Sequence, residues 1–200
     1  MIKRLDREFY KQDAVSAAKN LLGKLLIREI EDELIITKIV ETEAYLGAED
    51  KASHAFANNR TERTKVMFKE GGYAYIYLIY GMHYLLNIVT GKENSPEAVL
   101  IRALEPLEGF DLLKKNRKIK SDKLADLTNG PGKLTQALNI DKNFNNYDLV
   151  EGDILYLGED SENKESPVIK SAKRINIDYA EEYKDKEWRF YINDSLFLSK

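Results

Sequence analysis

The sequence predicts an α+β fold: one domain over residues 1–200 on a curved, mostly antiparallel sheet, a partial barrel with packed helices. Two observations lead there. Segments rich in β-branched and aromatic residues dominate the chain, and short turns join neighbouring ones, as antiparallel pairing requires. No internal repeat, linker or low-complexity tract divides it.

Asp13 is placed to cap a helix over DAVSAAKNLLG, with Val15, Ala18 and Leu22 at helical spacing and Gly23 as the stop. KLLIREI and LIITKIVETEAY follow as two strands around the acidic turn Glu31-Asp32-Glu33. Residues 47–71 are polar and irregular, a long loop of the kind that carries function. YAYIYLIY (73–80) and YLLNIVT (84–90) form a tight pair around Gly81-Met82-His83, and AVLIRAL (98–104) is a further strand. FDLLKKNRK and KLTQALN read as helices, the second after the turn NGPG. DILYL, KRINI and WRFYI read as late strands.

Composition excludes several chemistries. With 43% hydrophobic and 32% charged residues, the chain can build a sizeable core. It has no cysteine, which removes disulfides, thiolate catalysis and cysteine zinc sites and points to a reducing compartment. The opening MIKRLDREFY lacks an apolar signal core, and no run reaches membrane-spanning length. The expectation is a cytoplasmic protein, at the nucleoid of a bacterium or in the nucleus of a eukaryote, with no membrane partner. A net charge of −3 argues against a generic polycation. Local basic patches nonetheless occur at Arg60, Arg63, Lys65 and Lys69, and along Lys114, Lys115, Arg117, Lys118, Lys120 and Lys123.

Two stretches carry chemistry. In ETEAYLG, strand alternation puts Glu41, Glu43 and Tyr45 on one face and Val40, Thr42 and Ala44 on the other. A carboxylate beside an aromatic ring is either surface decoration or a general base next to a stacking platform, and alternation alone does not choose between the glutamates. In GGYAYIYLIYGMHYLLN, Tyr73, Tyr75 and Tyr77 share a face, whereas Tyr80 stands at the hairpin tip. Aromatic residues favour strands for packing reasons alone. A large ring at an exposed turn has no such reason, and apolar wedges between base steps are a known way to open DNA.

These residues resemble the alkyladenine (3-methyladenine) DNA glycosylases. VETEAYLG, ASHA, RTERTKVMF, YIYLIYGMHYLLN, VLIRALEPLEG and NGPGKLTQAL occur in that family's order and spacing, over roughly residues 10–192. The resemblance implies that Glu43 deprotonates the water attacking the anomeric carbon of a flipped-out nucleotide. It implies that Tyr45 stacks on the extruded base, that His54 and Tyr77 complete the aromatic pocket, and that Tyr80 fills the gap in the duplex. Asn87 is then set against the purine edge to disfavour guanine, and Arg102 helps Glu43 hold the water. Arg60 and Arg63 of the basic patch, with Met82 and His83 at the hairpin turn, are expected to contact the DNA backbone. The implied partner is double-stranded DNA containing damaged purines, the implied state a monomer, and no cofactor or metal is implied.

The physical chemistry agrees. A base inside a duplex cannot be attacked until it leaves the stack, so a wedge and a receiving pocket are needed. Cleaving the glycosidic bond develops positive charge on the sugar, and a nearby carboxylate both activates water and stabilises that charge. The motif holds no lysine, so a Schiff-base lyase step is not expected.

Two other readings compete. A glycoside hydrolase could use Glu41 and Glu43 as its carboxylate pair, their backbones being roughly 6.5–7 Å apart on a strand, but Trp188 is the sole tryptophan and lies far along the chain. A non-catalytic reader of damaged bases would need Tyr45, Tyr77 and Tyr80 but not Glu43. Base release from a lesion-bearing duplex separates all three.

Overall fold

A computed structural model describes residues 1–121, 123–162 and 167–199. The chain opens with β1 (Ile2–Arg4), α1 (Arg7–Tyr10), α2 (Ala14–Leu21), β2 (Leu25–Ile30) and β3 (Glu33–Tyr45). Next come β4 (Ala74–Ile79), β5 (His83–Thr90), β6 (Glu97–Glu108), α3 (Phe110–Arg117), α4 (Ala125–Thr128) and α5 (Pro131–Ala137). It closes with β7 (Leu155–Asp160), β8 (Ile169–Ala172) and β9 (Arg189–Ile192). Among the described residues all nine strands join one curled, antiparallel sheet in the order β1-β7-β2-β3-β6-β5-β4, with β9 pairing β3 and β8. The expected α+β partial barrel is the observed fold.

Local chemistry accounts for the elements that hold the site. Asp13 accepts from the Ser16 N–H at 3.0 Å, a cap worth about 1 kcal/mol. The small residues Ala14, Ala17 and Ala18 let α2 lie close on the sheet, where the Thr42 hydroxyl donates to the Ala18 carbonyl at 2.9 Å. That puts the main core under β3, with Leu21, Ile35, Ile39, Ile101 and Leu104 fully buried.

β3 is the axis of the molecule. Its first half pairs with β2, its second half with β9, and its other edge runs along β6. Glu41 and Glu43 fall in the doubly paired stretch and are 0% exposed. The β3–β6 register shifts around them: Glu41 pairs Ala103 and Thr42 pairs Ile101, so Arg102 is the extra residue of a bulge. Bulges re-aim side chains, and this one turns Arg102 onto the carboxylates.

The sequence does not anticipate β1, α1, α4 or β8, and the expected elements differ from the structure elsewhere as well. β6 runs from Glu97 to Glu108, beyond the expected 98–104, and α5 begins at Pro131, where a missing N–H costs a first turn nothing. KRINI is not a strand; β8 ends at Ala172 and the chain then turns irregularly, with Asn176 at φ 59°. The reason is polar. Arg174 is buried and paired with Asp50, and the Ile175 N–H is committed to Glu43, so neither serves a ladder.

Candidate active site

A cavity of about 530 Å³ opens between the C-terminal half of β3, the β4–β5 hairpin, the polar loop after β3 and residues 175–179. Tyr45, His54, Tyr77, Tyr80, His83, Asn87, Arg102 and Arg63 all line it. Glu43 lies directly behind, bonded to the lining. Residues from five separate motifs therefore meet at one place. Arg60 does not join them: its guanidinium lies 5.1 Å over the Phe68 ring, beside a smaller depression of about 240 Å³ shared with Lys65 and Lys69.

The two glutamates have different surroundings. Glu41 accepts from Arg102 Nε (3.2 Å), Arg189 Nη1 (3.2 Å), the Ser199 N–H (2.6 Å) and the Ser199 hydroxyl (2.9 Å). It is a structural anion, surrounded by donors. Glu43 accepts from the Ile175 N–H at Oε1 (2.8 Å) and the Tyr45 hydroxyl at Oε2 (2.9 Å), with Arg102 Nη1 3.3 Å from Oε2. Burial pushes the Glu43 carboxyl above its ordinary range, against the opposing pull of Arg102 and the two hydrogen bonds. A carboxylate held by few donors and raised in pKa is the better proton acceptor. Arg102 joins both carboxylates, while the nearby strand residue Glu105 is held by Lys38 at 2.6 Å.

Tyr45 is fixed from behind by Arg174, whose guanidinium stands 4.7 Å from the Tyr45 centroid and 5.0 Å from that of Trp188. Arg174 is held in turn by Asp50, which also accepts from the Leu46 and Ala52 N–H groups. One buried ion pair thus sets the Tyr45 ring, the loop carrying His54, and Ile175. Gly47 makes the turn between them: at φ +67° a Cβ there would stand 2.6 Å from the Pro96 carbonyl oxygen. No periodicity marks Arg174 and Ile175 in the sequence. The one available signal was a basic residue inside an apparent strand.

The opposite wall is aromatic. His54 and Tyr77 meet edge to face at 4.5 Å, and the Tyr75 hydroxyl lies 2.9 Å from His54 Nδ1. Burial and the Arg63 charge push the imidazole down to about 4, so His54 is neutral at physiological pH. Asn87 is buried on β5, and its amide donates to the Tyr75 carbonyl at 3.1 Å. At the tip Tyr80 takes φ 53°, uncommon for a bulky residue, and Leu78, Tyr80 and Met82 all stand exposed. His83 rests on Gly132 of the NGPG turn, where a Cβ would come within 2.9 Å of the imidazole.

The sequence of the methylpurine-DNA glycosylase family matches residues 8–196. The chain belongs to that family. Its members are hydrolases of N-glycosyl bonds in DNA. A protein of Natranaerobius thermophilus named "Putative 3-methyladenine DNA glycosylase" is 56% identical over 196 residues, covering 98% of each chain. Proteins of the same name from Desulfitobacterium hafniense and Borrelia garinii are 51% and 49% identical, over 99% and 98% of this chain and 99% and 100% of their own. The methylpurine-DNA glycosylase match spans every element that lines the cavity, from the ETEAY strand to the segment bearing Ile175.

Proposed function

We propose that this glycosylase flips damaged purines out of duplex DNA and hydrolyses the N-glycosidic bond with a water activated by Glu43, leaving an abasic site. Its substrates are 3-methyladenine, 7-methylguanine, hypoxanthine and ethenoadenine. The observation that carries this reading is the meeting, at one 530 Å³ cavity, of a buried carboxylate, a cation beside it and facing aromatic walls.

Glu43 takes the proton from water as the water oxygen bonds to the anomeric carbon, and the glycosidic electron pair leaves with the base. Arg102 lines the cavity beside Glu43, where it orients the water. Tyr45 stacks on one face of the extruded base, with His54 and Tyr77 on the other; such stacking is worth about 1–3 kcal/mol per base. Asn87 lies against the purine edge. Tyr80, 78% exposed at the hairpin tip, enters the gap in the stack. Arg60, Met82 and His83 contact the duplex backbone, and the enzyme acts as a monomer at the DNA of the bacterial cytoplasm.

The test uses duplexes carrying one hypoxanthine or ethenoadenine, together with methylated DNA, and measures free base by chromatography and abasic sites by strand breakage. Release of base, with breaks only after alkali, is expected. No release from any of these substrates would overturn the proposal.

A further inference from the structure

Arg63 belongs to the long polar loop and is exposed, as a phosphate-binding residue would be. Its guanidinium nonetheless packs against the cavity wall. It lies over the Tyr77 ring, 5.1 Å from the centroid, with Nη2 3.0 Å from His54 Nε2 and 3.3 Å from Nδ1, and it lines the cavity. Its charge has no carboxylate partner among the described residues. Because His54 is neutral, it accepts from Arg63 at Nε2 and keeps its own proton on Nδ1 for the Tyr75 hydroxyl.

Glu43 lies behind the cavity wall with the Arg102 cation beside it, whereas Arg63 lines the cavity against Tyr77 and His54, the rings that would hold the departing base. We infer that Arg63 selects and assists neutral damaged purines by hydrogen bonding to the base as it leaves. This rests on the reaction proposed above.

Charge flow supplies the reason. As the water oxygen bonds to the anomeric carbon and Glu43 takes its proton, the C1′–N9 bond breaks and its electron pair goes to the purine. A neutral base such as hypoxanthine becomes an anion, its charge spread over ring nitrogens and O6, until solvent protonates it. A fixed donor cation at the ring edge stabilises that charge as it develops. A purine alkylated at N7 already carries positive charge and leaves neutral. It gains nothing from Arg63 and is repelled by it in the ground state.

The experiment compares single-turnover release of hypoxanthine and of 7-methylguanine by the full chain and by Arg63→Met and Arg63→Lys, with thermal melting as the folding control. The hypoxanthine to 7-methylguanine rate ratio is expected to fall about tenfold or more in Arg63→Met, the scale of a lost transition-state donor. Arg63→Lys, which keeps the charge but not the planar fork, should recover part of the ratio. An unchanged ratio in a folded Arg63→Met, with both rates lowered together, would return Arg63 to phosphate binding. A wild-type enzyme that releases 7-methylguanine but never hypoxanthine would overturn the Arg63 role and leave the glycosylase reaction intact. Release of neither base would overturn both.

Discussion

The Tyr45 hydroxyl donates to Glu43 Oε2 at 2.9 Å, so the ring proposed to stack on an extruded base also caps the carboxylate beside it. Glu43 is 0% exposed behind that cap. Aromatic ring and carboxylate are thus one unit, with the Arg174 guanidinium packed against the ring.

Glu43→Gln should abolish base release while binding to a lesion duplex stays within a few-fold of wild type, because shape is kept and only the proton acceptor is lost. Glu41→Gln should act differently. It takes charge from a buried site that holds Arg102, Arg189 and Ser199, and should cost on the order of 2–3 kcal/mol of stability. Single-turnover rates and thermal melting separate the two. Normal rates in Glu43→Gln with loss in Glu41→Gln would reverse the assignment.

Base release should fall on acidification at a pH above that set by an ordinary glutamate at 4.5, since burial raises the Glu43 carboxyl and only its ionised form accepts a proton. The Tyr45 hydroxyl opposes that rise by bonding the charged form. Tyr45→Phe keeps the ring for stacking and removes this bond, so its acid limb should lie higher still. Rate against pH for both proteins decides it; a limb that moved down in Tyr45→Phe would contradict the geometry.

Tyr80→Ala should reduce capture of the flipped nucleotide, because nothing would fill the vacated stack. A 2-aminopurine beside the lesion should report less flipping, and excision should slow with it. Tyr80→Phe, which retains the wedge, should behave nearly as wild type. If flipping and excision were unchanged in Tyr80→Ala, Tyr80 would be an ordinary turn aromatic.

Asn87 both lines the cavity and holds the Tyr75 carbonyl, so its side chain is presented at a fixed angle. Guanine carries an exocyclic amino group that hypoxanthine lacks, and a clash there costs about 1–3 kcal/mol. Asn87→Ala should therefore raise release of guanine opposite a mismatched thymine, with hypoxanthine much less affected. Equal loss on both substrates would make Asn87 a brace for β4 and nothing more.

Much of this protein is legible in its residues taken in order. Alternation marks β3 and its Glu41–Glu43–Tyr45 face, the Asp13 cap marks α2, and the YAYIYLIYGMH hairpin marks the tip that exposes Tyr80. These are local properties: the period of a strand, the orphan donors of a helix end, the demands of a tight turn. Strand alternation could not choose between Glu41 and Glu43, because both face the same way and differ only in what approaches from elsewhere. The family resemblance points to Glu43, and the tertiary structure gives the two glutamates different surroundings. Ser199 and Arg189 come from the far end of the chain to occupy Glu41, and the Ile175 N–H reaches Glu43 from a segment that reads as a strand. A bulge in β6 brings Arg102 between them. Arg63 likewise reads as a surface cation until the loop folds its head onto Tyr77 and His54. Hydrogen-bond donors, ion pairs and register shifts act across space between residues distant in sequence, so periodicity carries no trace of them.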